Sequence, residues 1–420
     1  MHSIETLNKN IAIKPFKMRK TDLHPTLQRS CVPVPQRSGC FAVIPPPAPD
    51  TVNVQSCHGL LMLAHRELEL LTNAIRRNPR DAELLMYMLN RREAVDSSQI
   101  EGTHTGFDGL LIHEIEAGTE DEITDSDASA TLNYVRAFMM GSREVEARSQ
   151  AALDLNLIRN LHTRLMAGQS QYAPGQWRDR QNYIGLRMET ARYIPPPPGE
   201  VPRLMDDLLG LLQYEPDGVA VSSILLRAAI AHVQFEAIHP FLDGNGRTGR
   251  LLLPLMLKAE GKPPIHLASF LKLRQQEYYD ALLQVQTRLE WEPWICLFLE
   301  SVIASCRHTT QLLDDMRAIH QRWQSLLTQQ GKRRHATIWK VGGLLLGQPV
   351  VTINLIARRL GVTFPAANDA VTELVALDIL RPATQQRRHR VFHAHEVMNV
   401  LYSGLDAVIE DVGRHTNINT

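Results

Sequence analysis

Long apolar runs are missing from this sequence. No stretch approaches the roughly 18 to 20 apolar residues that a helix needs to cross a bilayer, and the opening MHSIETLNKNIAIKPFKMRK lacks the apolar core of a secretory signal. The expectation is a cytoplasmic protein that makes no use of a membrane. Cysteine is scarce: Cys31, Cys40, Cys57, Cys296 and Cys306 are odd in number and lack paired short spacings. That argues against a disulfide framework and a zinc site, and for a reducing compartment. Neither charge is in excess, with 45 Lys and Arg facing 45 Asp and Glu, so no global field draws the chain to nucleic acid, membrane or acidic substrates. Internal repeats and low-complexity tracts are absent too.

What is present divides by pattern. At 420 residues the chain exceeds one ordinary core and suggests two or three domains. Residues 1–50 are polar and then proline-rich (Pro33, Pro35, Pro45, Pro46, Pro47, Pro49), which predicts an extended arm. From Val54 to Asn90 apolar residues return at three and four spacing (Leu60, Leu63, Leu68, Leu71; Leu84, Leu85, Met88, Leu89), the pattern of amphipathic helices. Helical spacing continues over 122–168 and 202–236, and again after Gly246 and over 275–330. Between Gln181 and Pro198 it is interrupted by Asn182, Gly185 and four consecutive prolines, which predicts a short hairpin or flap.

The densest chemistry lies in His239-Pro-Phe-Leu-Asp-Gly-Asn-Gly-Arg-Thr-Gly-Arg250. Gly244 and Gly246 let backbone N–H groups approach a ligand, the N–H groups opening the next helix face an anion, and Arg247 and Arg250 fork onto phosphate oxygens. A helix from about Val221 to Ala237 delivers His239 to this cradle, where an imidazole can take a proton from an attacking hydroxyl. Asp243 is a hard oxygen ligand of the kind Mg²⁺ accepts alongside phosphates and water. The alternative is a Gly-rich turn with a stray histidine and two solvated arginines; the joint occurrence of all these polar groups argues against it.

At these residues the sequence resembles the Fic family, whose motif H-P-F-x-[DE]-G-N-G-R-x-x-R is met at every fixed position. The segments PGQWRDRQNYIG, YIPPPPGEVPRLMDDLL, EYYDALLQV and WEPWICLFLE are similar to the family's flanking regions, so the resemblance covers roughly residues 55–305. It implies an all-α helical bundle with a small β-hairpin flap. It also implies a protein adenylyltransferase that moves AMP from ATP, with Mg²⁺ or Mn²⁺, to a hydroxyl side chain of a target protein or of itself. In that reading His239 is the base and Asp243 the metal ligand. Asn245 with the Gly244 and Gly246 amides forms the α-phosphate anion hole, and Arg247 and Arg250 hold the β and γ phosphates. Ile184, Gly185 and Ile194 belong to a flap that aligns the target backbone, and Tyr278 and Tyr279 line the adenine side or serve the core. Arg178 and Arg274 are structural candidates. The chain departs from the family where Leu273 replaces an Asn before Arg274. The Doc toxins carry lysine at the second motif glycine, so Gly246 favours AMP transfer.

Ser97-Ser-Gln-Ile-Glu101-Gly102 matches the family's [ST]-x-x-x-E-[GN] inhibitory motif in the position of the subclass that carries it N-terminally. Glu101 is then a brake that pairs with Arg250 at the γ-phosphate position. Ser98-x-x-Glu101 also reads as a capping box, but Glu101 is followed by GTHTG rather than a helical run.

Beyond residue 336 the pattern changes. Thr352 can cap a helix over 353–360 ended by Gly361, and Thr363 a second over 364–377, with Phe364, Ala367, Val371, Leu374 and Val375 as one buried stripe. With a basic segment Arg381–Phe392 this predicts a winged helix-turn-helix domain. Residues 331–390 hold ten Lys or Arg against three acids, yet Asn368, Asp369 and Thr372 face outward on the second helix. DNA binding and protein docking through residues 336–395 therefore both stand. The domain reading is arm 1–50, helical region with the inhibitory motif 51–120, catalytic core 121–305, linker helix 306–335 and winged helix 336–420. A homodimer is compatible with it. The competing functions are a DNA-binding regulator with a nucleotide-sensing module, and removal of AMP from a modified target.

Overall fold

The computed structural model describes residues 18–35, 37–116, 127–214, 222–383 and 390–416, with residues 406 and 413–416 described by backbone alone. A 3₁₀ turn (Lys20–Asp22) precedes α1 (Pro25–Ser30), β1 (Val32–Pro33) and β2 (Phe41–Ala42). Long helices follow: α2 (His58–Arg77), α3 (Pro79–Ile100), α4 (Phe107–Glu116), α5 (Asp127–Arg148), α6 (Leu155–Leu165), α7 (Val201–Leu212), α8 (Ile224–Ile238), α9 (Asn245–Ala259), α10 (Ala268–Leu273), α11 (Gln275–Arg288) and α12 (Glu292–Gln329). The chain ends in α13 (Thr337–Leu345), β3 (Val350–Thr352), α14 (Ile353–Leu360), α15 (Phe364–Ala376), β4 (Arg381–Pro382), β5 (Val391–His393), α16 (His395–Tyr402) and α17 (Leu405–Thr416). This mostly helical architecture agrees with the expected all-α class. Two compact units result, one from residues 1–68, 93–104 and 125–303, the other from 69–92, 105–124 and 304–420.

In the first unit α8 is the central element. Its sequence ILLRAAIAHVQFEAI is apolar on every side and every residue is buried, the mark of a helix wrapped by others. It packs against α7 and α9, while α5 lies on α6 and α9. Helix α6 starts where the Asp154 carboxylate accepts the Leu157 N–H at 2.7 Å, a single cap of the kind that contributes about 1 kcal/mol. Leu157, Ile158, Leu161 and Leu165 then form its buried face.

Among its described residues the arm is not extended as its prolines suggested. Residues 19–35 and 37–42 hold a 3₁₀ turn, a helix and two paired strands. Leu23, Leu27, Val34, Ala42 and Val43 share an apolar cluster with Ala191, Tyr193 and Ile194 of the flap. The Val43 N–H donates to Ile194 O at 2.9 Å. Burial of these apolar side chains decides the local structure, and the prolines are confined to hairpin ends and the following strap. The flap itself is one antiparallel bridge, Ile184 to Tyr193. Cys57 and Cys296 are joined as a disulfide across 239 residues, which corrects the expectation of unpaired cysteines. Pairing at that separation leaves no spacing signal in the sequence.

In the second unit Arg91 clamps α4 through Glu114, donating from Nε at 2.7 Å, and lies over the Tyr87 ring at 3.4 Å. The C-terminal part has the order helix, strand, helix, helix, strand, strand, with the sheet running β3-β5-β4. Both threonine caps form as expected, Thr352 accepting from Leu355 N–H at 3.2 Å and Thr363 from Ala366 N–H at 3.4 Å. Gly361 ends α14 in the left-handed region at φ 62°. Phe364 is 52% exposed and leaves the expected buried stripe, which Ala367, Ala370, Val371 and Leu374 form instead. The expected boundary at 305–306 falls inside α12, one unbroken helix of 38 residues. Residues 384–389 of the expected basic wing lie outside the described residues.

Candidate active site

Helix α8 ends by turning His239 into the left-handed region, φ 50° and ψ 60°. This conformation is uncommon away from glycine and costs about 1–3 kcal/mol. Buried polar contacts hold it. Arg178 donates from Nε to His239 O at 2.8 Å and from its backbone N–H to Pro240 O at 2.9 Å. Asn245 accepts the Phe241 N–H at 2.9 Å and donates back to Phe241 O at 2.9 Å, closing the loop on itself. His162 accepts the Gly175 N–H at Nδ1, 2.8 Å away, so its proton sits on Nε2 and is donated to Asp243 O at 2.9 Å. Burial lowers the His162 pKa to about 4, which keeps that tautomer neutral.

Gly244 caps α9 at φ 75°, where a Cβ would also strike Met166 Sδ. No side chain fits there, and the Gly244 N–H donates to Asp243 Oδ1 at 2.8 Å. Beside this turn lies a cleft that opens to solvent. Of the residues expected at the site, Glu101, His239, Asp243, Gly244, Asn245, Gly246 and Arg250 line it, with Ile184 and Gly185 on the flap side and Tyr278 and Tyr279 opposite. Ser97, Gly102, Ile194 and Arg247 stand behind the wall. Arg247 is buried with Nη2 3.4 Å from Met166 Sδ, and Ile194 belongs to the apolar cluster under the flap.

Several lining residues escaped the sequence reading: Asn182, Tyr183, Arg192, Tyr193, Glu236, Leu242, Leu282, Leu283 and Gln286. Glu236 carried a signal, being the one carboxylate in the apolar run of α8 and three residues before His239. Arg178 and Arg274 are structural as anticipated. Arg178 also reaches Pro196 O at 2.5 Å and so ties the flap strap to the loop, while Arg274 pairs with Glu277 and Glu300.

Glu101 follows the last turn of α3, so Ser98 and Glu101 sit at a helix C-terminus and form no capping box. Gly102, at φ 91°, donates to Gln99 O at 3.0 Å and closes the helix. The Glu101 carboxylate then reaches the N-terminus of α9. It accepts from Arg250 Nη2 at 2.6 Å and lies so close to Gly246 that a Cβ there would collide with it. Arg250 is further held by Ser97, donating to Oγ at 2.9 Å and to O at 3.0 Å. The Glu101 charge is among the causes that raise the Arg250 pKa. Tyr279 donates to Ile100 O at 3.1 Å and Gln275 to the same oxygen at 2.9 Å, fixing the end of α3. One turn earlier Asp96 accepts from Ser269 at 2.5 Å and Lys272 at 3.0 Å.

Electrostatics set the protonation of the cleft. Burial, with Arg178 adding to it, lowers the His239 pKa to about 4, so the ring is neutral near pH 7 and has a lone pair to offer. Burial pushes the Glu236 carboxyl up to about 8. Tyr278 exchanges a 2.9 Å hydrogen bond with His232 Nε2 and is itself buried. Among the described residues no cluster of three or more His, Cys, Asp or Glu side chains could hold a metal.

Residues 58–143 match the family model described as Fic/DOC family N-terminal, and residues 152–257 the one described as Fic/DOC family. Protein adenylyltransferase Fic of Culex quinquefasciatus is 29% identical over 225 residues, 53% of this chain and 38% of that protein. The protein of the same name from Drosophila erecta is 30% identical over 193 residues, 46% of this chain and 34% of that one. The chain thus matches little more than a third of the length of these relatives. In fold it is similar to a Fic family protein of Desulfovibrio desulfuricans G20, with a TM-score of 0.50 and 18% identity, covering 84% of this chain and 98% of that one. Two adjoining family models, meeting a cleft built on the expected motif, show that residues 58–143 and 152–257 of this chain carry the two parts described for the Fic/DOC family.

Proposed function

We propose that this protein is a protein adenylyltransferase restrained by its own Glu101. The observation that carries the reading is the Glu101 carboxylate, an anion seated at the N-terminus of α9 and paired with Arg250. A site that accommodates one oxyanion between a helix N-terminus and a buried guanidinium suits a phosphate equally. In the reaction the target hydroxyl attacks the α phosphorus of ATP. A new O–P bond forms, the bond to the β phosphate breaks, pyrophosphate leaves, and the hydroxyl proton passes to His239. Glu101 lies where the terminal phosphate would pair with Arg250, so the brake acts by competition for one guanidinium.

The supporting residues divide into those that contact the nucleotide and those that shape its seat. His239, Asp243, Arg250 and the Gly244 and Gly246 amides belong to the first group. Arg247 is taken to reach the phosphates by swinging off Met166. Asn245 contributes through the loop, since both ends of its amide hold Phe241. Asp243, which lines the cleft beside the motif glycines, suits Mg²⁺ or Mn²⁺ arriving with the nucleotide, the described residues holding no ready-made metal cluster. Bound there by Asp243, such an ion would neutralise phosphate charge.

The C-terminal helices and sheet are read as a winged helix, on the order of their elements and the two threonine caps. Its basic residues are partly matched by acids, Lys332 by Glu373 and Arg381 by Asp378, which favours a protein-docking module over DNA binding. Incubation with α-labelled ATP tests the whole reading. Label entering protein in the Glu101→Gly variant and absent from Glu101→Gly/His239→Ala supports transfer. A sequence-specific gel shift without any label transfer would support the DNA-binding regulator instead.

A further inference from the structure

The flap is held differently at its root and at its tip. Elements of the cleft fix the root: Asn182 donates from Nδ2 to Phe241 O at 2.8 Å, the Tyr193 hydroxyl donates to Ala237 O of α8 at 3.2 Å, and Arg192 pairs with Asp280 of α11 at 2.5 Å. Beyond that a single bridge joins Ile184 to Tyr193, and a lone two-stranded ribbon is at best marginally stable in water. The arm holds the tip. Arg37 pairs with Glu189 at 2.9 Å, the Cys40 thiol donates to Met188 O at 3.7 Å, and the Met18 N–H donates to Ala191 O at 3.4 Å. Ala191 and Tyr193 share one apolar cluster with Leu23, Leu27 and Val34, and Ile184 and Met188 pack against it. The arm has its own anchorage, from the His24 N–H to Thr287 O of α11 at 2.8 Å and from Ser30 Oγ to Ile44 O at 2.8 Å. All of these arm residues lie outside the two segments that match the family models.

We propose that the arm is a positioning element for target recognition: by fixing the flap tip it fixes the limb that guides the attacking hydroxyl into the cleft. Tyr183, Ile184 and Gly185 line the cleft together with His239, so a chain segment that delivers a hydroxyl to this base passes along the flap. Extended backbone in such a place pairs with an incoming extended segment, and a limb that is already ordered lowers the entropy lost on binding. This rests on the adenylyl-transfer reading of the cleft.

The motif residues do not share the dependence on the arm. The Asp243 carbonyl is held by His162, the Asn245 amide by Phe241 and the Arg250 guanidinium by Ser97, and none of these partners belongs to the arm or to its apolar cluster. Loosening the arm therefore raises the KM for the acceptor and leaves ATP affinity where it is.

Leu27 is the lever. It is 1% exposed and does not line the cleft, so Leu27→Ala opens a void in the cluster alone. Hydrogen exchange of the full chain reads the flap without turnover. In Leu27→Ala the amides of Ile184, Ala191 and Arg192, which are bonded within the flap, are expected to exchange about 10-fold faster, while those of Phe241 and Thr248 in the motif loop keep their wild-type rates. Calorimetry should give one ATP affinity for both chains. Transfer is followed in the Glu101→Gly background with the His239→Ala full chain as acceptor, where adding Leu27→Ala to the enzyme should raise the acceptor KM about 10-fold with kcat nearly kept. Unchanged flap exchange, an equal loss of ATP affinity, or a fall in kcat at constant acceptor KM overturns the proposal. If Leu27→Ala does not fold, the ion pair decides: Arg37→Glu is expected to speed exchange at Thr190 and Ala191 about 2- to 5-fold and Arg37→Glu/Glu189→Arg to restore it, and flap amides indifferent to Arg37→Glu overturn the proposal. Faster flap exchange without any AMP transfer by Glu101→Gly would refute the adenylyl-transfer reading while leaving the arm's hold on the flap standing.

Discussion

Replacing Glu101 by glycine removes one end of a pair whose geometry allows both its stability and its activity effects to be worked out. The Glu101–Arg250 contact is 2.6 Å long, with the arginine side chain 1% and the glutamate 21% exposed. A hydrogen bond to a charged group contributes about 1.5–3 kcal/mol. Arg250 keeps both its bonds to Ser97 and Gly102 still closes α3, so the loss should sit near 2 kcal/mol. For a unit of this size that lowers the thermal midpoint by roughly 4–8 °C. The same 2 kcal/mol is what the terminal phosphate of ATP must displace in the wild type, so its removal corresponds to about 30-fold in productive occupancy. The assay compares AMP incorporation and thermal midpoint for wild type, Glu101→Gly and Glu101→Gly/His239→Ala. Activity and stability should move in opposite directions, and the gain should vanish in the double variant. A lowered midpoint with unchanged or reduced incorporation would refute the brake, because a merely structural glutamate can lose stability but cannot release a catalytic site.

Asn245→Ala should lower the thermal midpoint and weaken ATP binding together, since two buried hydrogen bonds to Phe241 are lost at about 1 kcal/mol each; weakened binding with an unmoved midpoint would show that the amide contacts phosphate directly. Asp243→Ala should leave nucleotide binding insensitive to Mg²⁺ by calorimetry, and an unchanged Mg²⁺ response would place the ligand elsewhere. Alkylation of the denatured, unreduced protein should label three of the five cysteines and all five after reduction. Stability against urea should peak near pH 6.5. His162, His232, His239 and His266 have folded values lowered to about 3 or 4, so the unfolded chain takes up their protons as pH falls below 6.5, and stability drops with it. Glu93 and Glu236, raised to about 8, act oppositely, and stability is lost as pH climbs from 4.5 through 8. Below 6.5 the four histidines outnumber the two glutamates, and above it only the glutamates titrate, which yields the maximum; a midpoint flat from pH 5 to 8 would contradict these burials.

The sequence made the motif loop of the cleft legible because its pattern is local. From His239 to Arg250 the backbone turns, the helix start and the polar groups are consecutive, and spacing alone puts them on one loop. Glu101 was reached only through a motif resemblance, and its geometry came out differently from the local alternative. Ser98 and Glu101 occupy the end of a 22-residue helix, a fact the polar run VDSSQI conceals because a buried face here is formed by serines and an aspartate bonded to Ser269 and Lys272. What stayed hidden shares one property, dependence on partners far along the chain. Cys57 meets Cys296, Val43 meets Ile194, and the prolines of the arm looked like extended chain because the apolar cluster that folds it is completed by flap residues about 150 positions away. Asn245 shows the same limit from the other side. Its place in the motif suggested a ligand contact; it lines the cleft, and its two bonds to Phe241, four residues back, also make it the clasp of the loop. That second task lies in hydrogen-bond partners rather than in spacing.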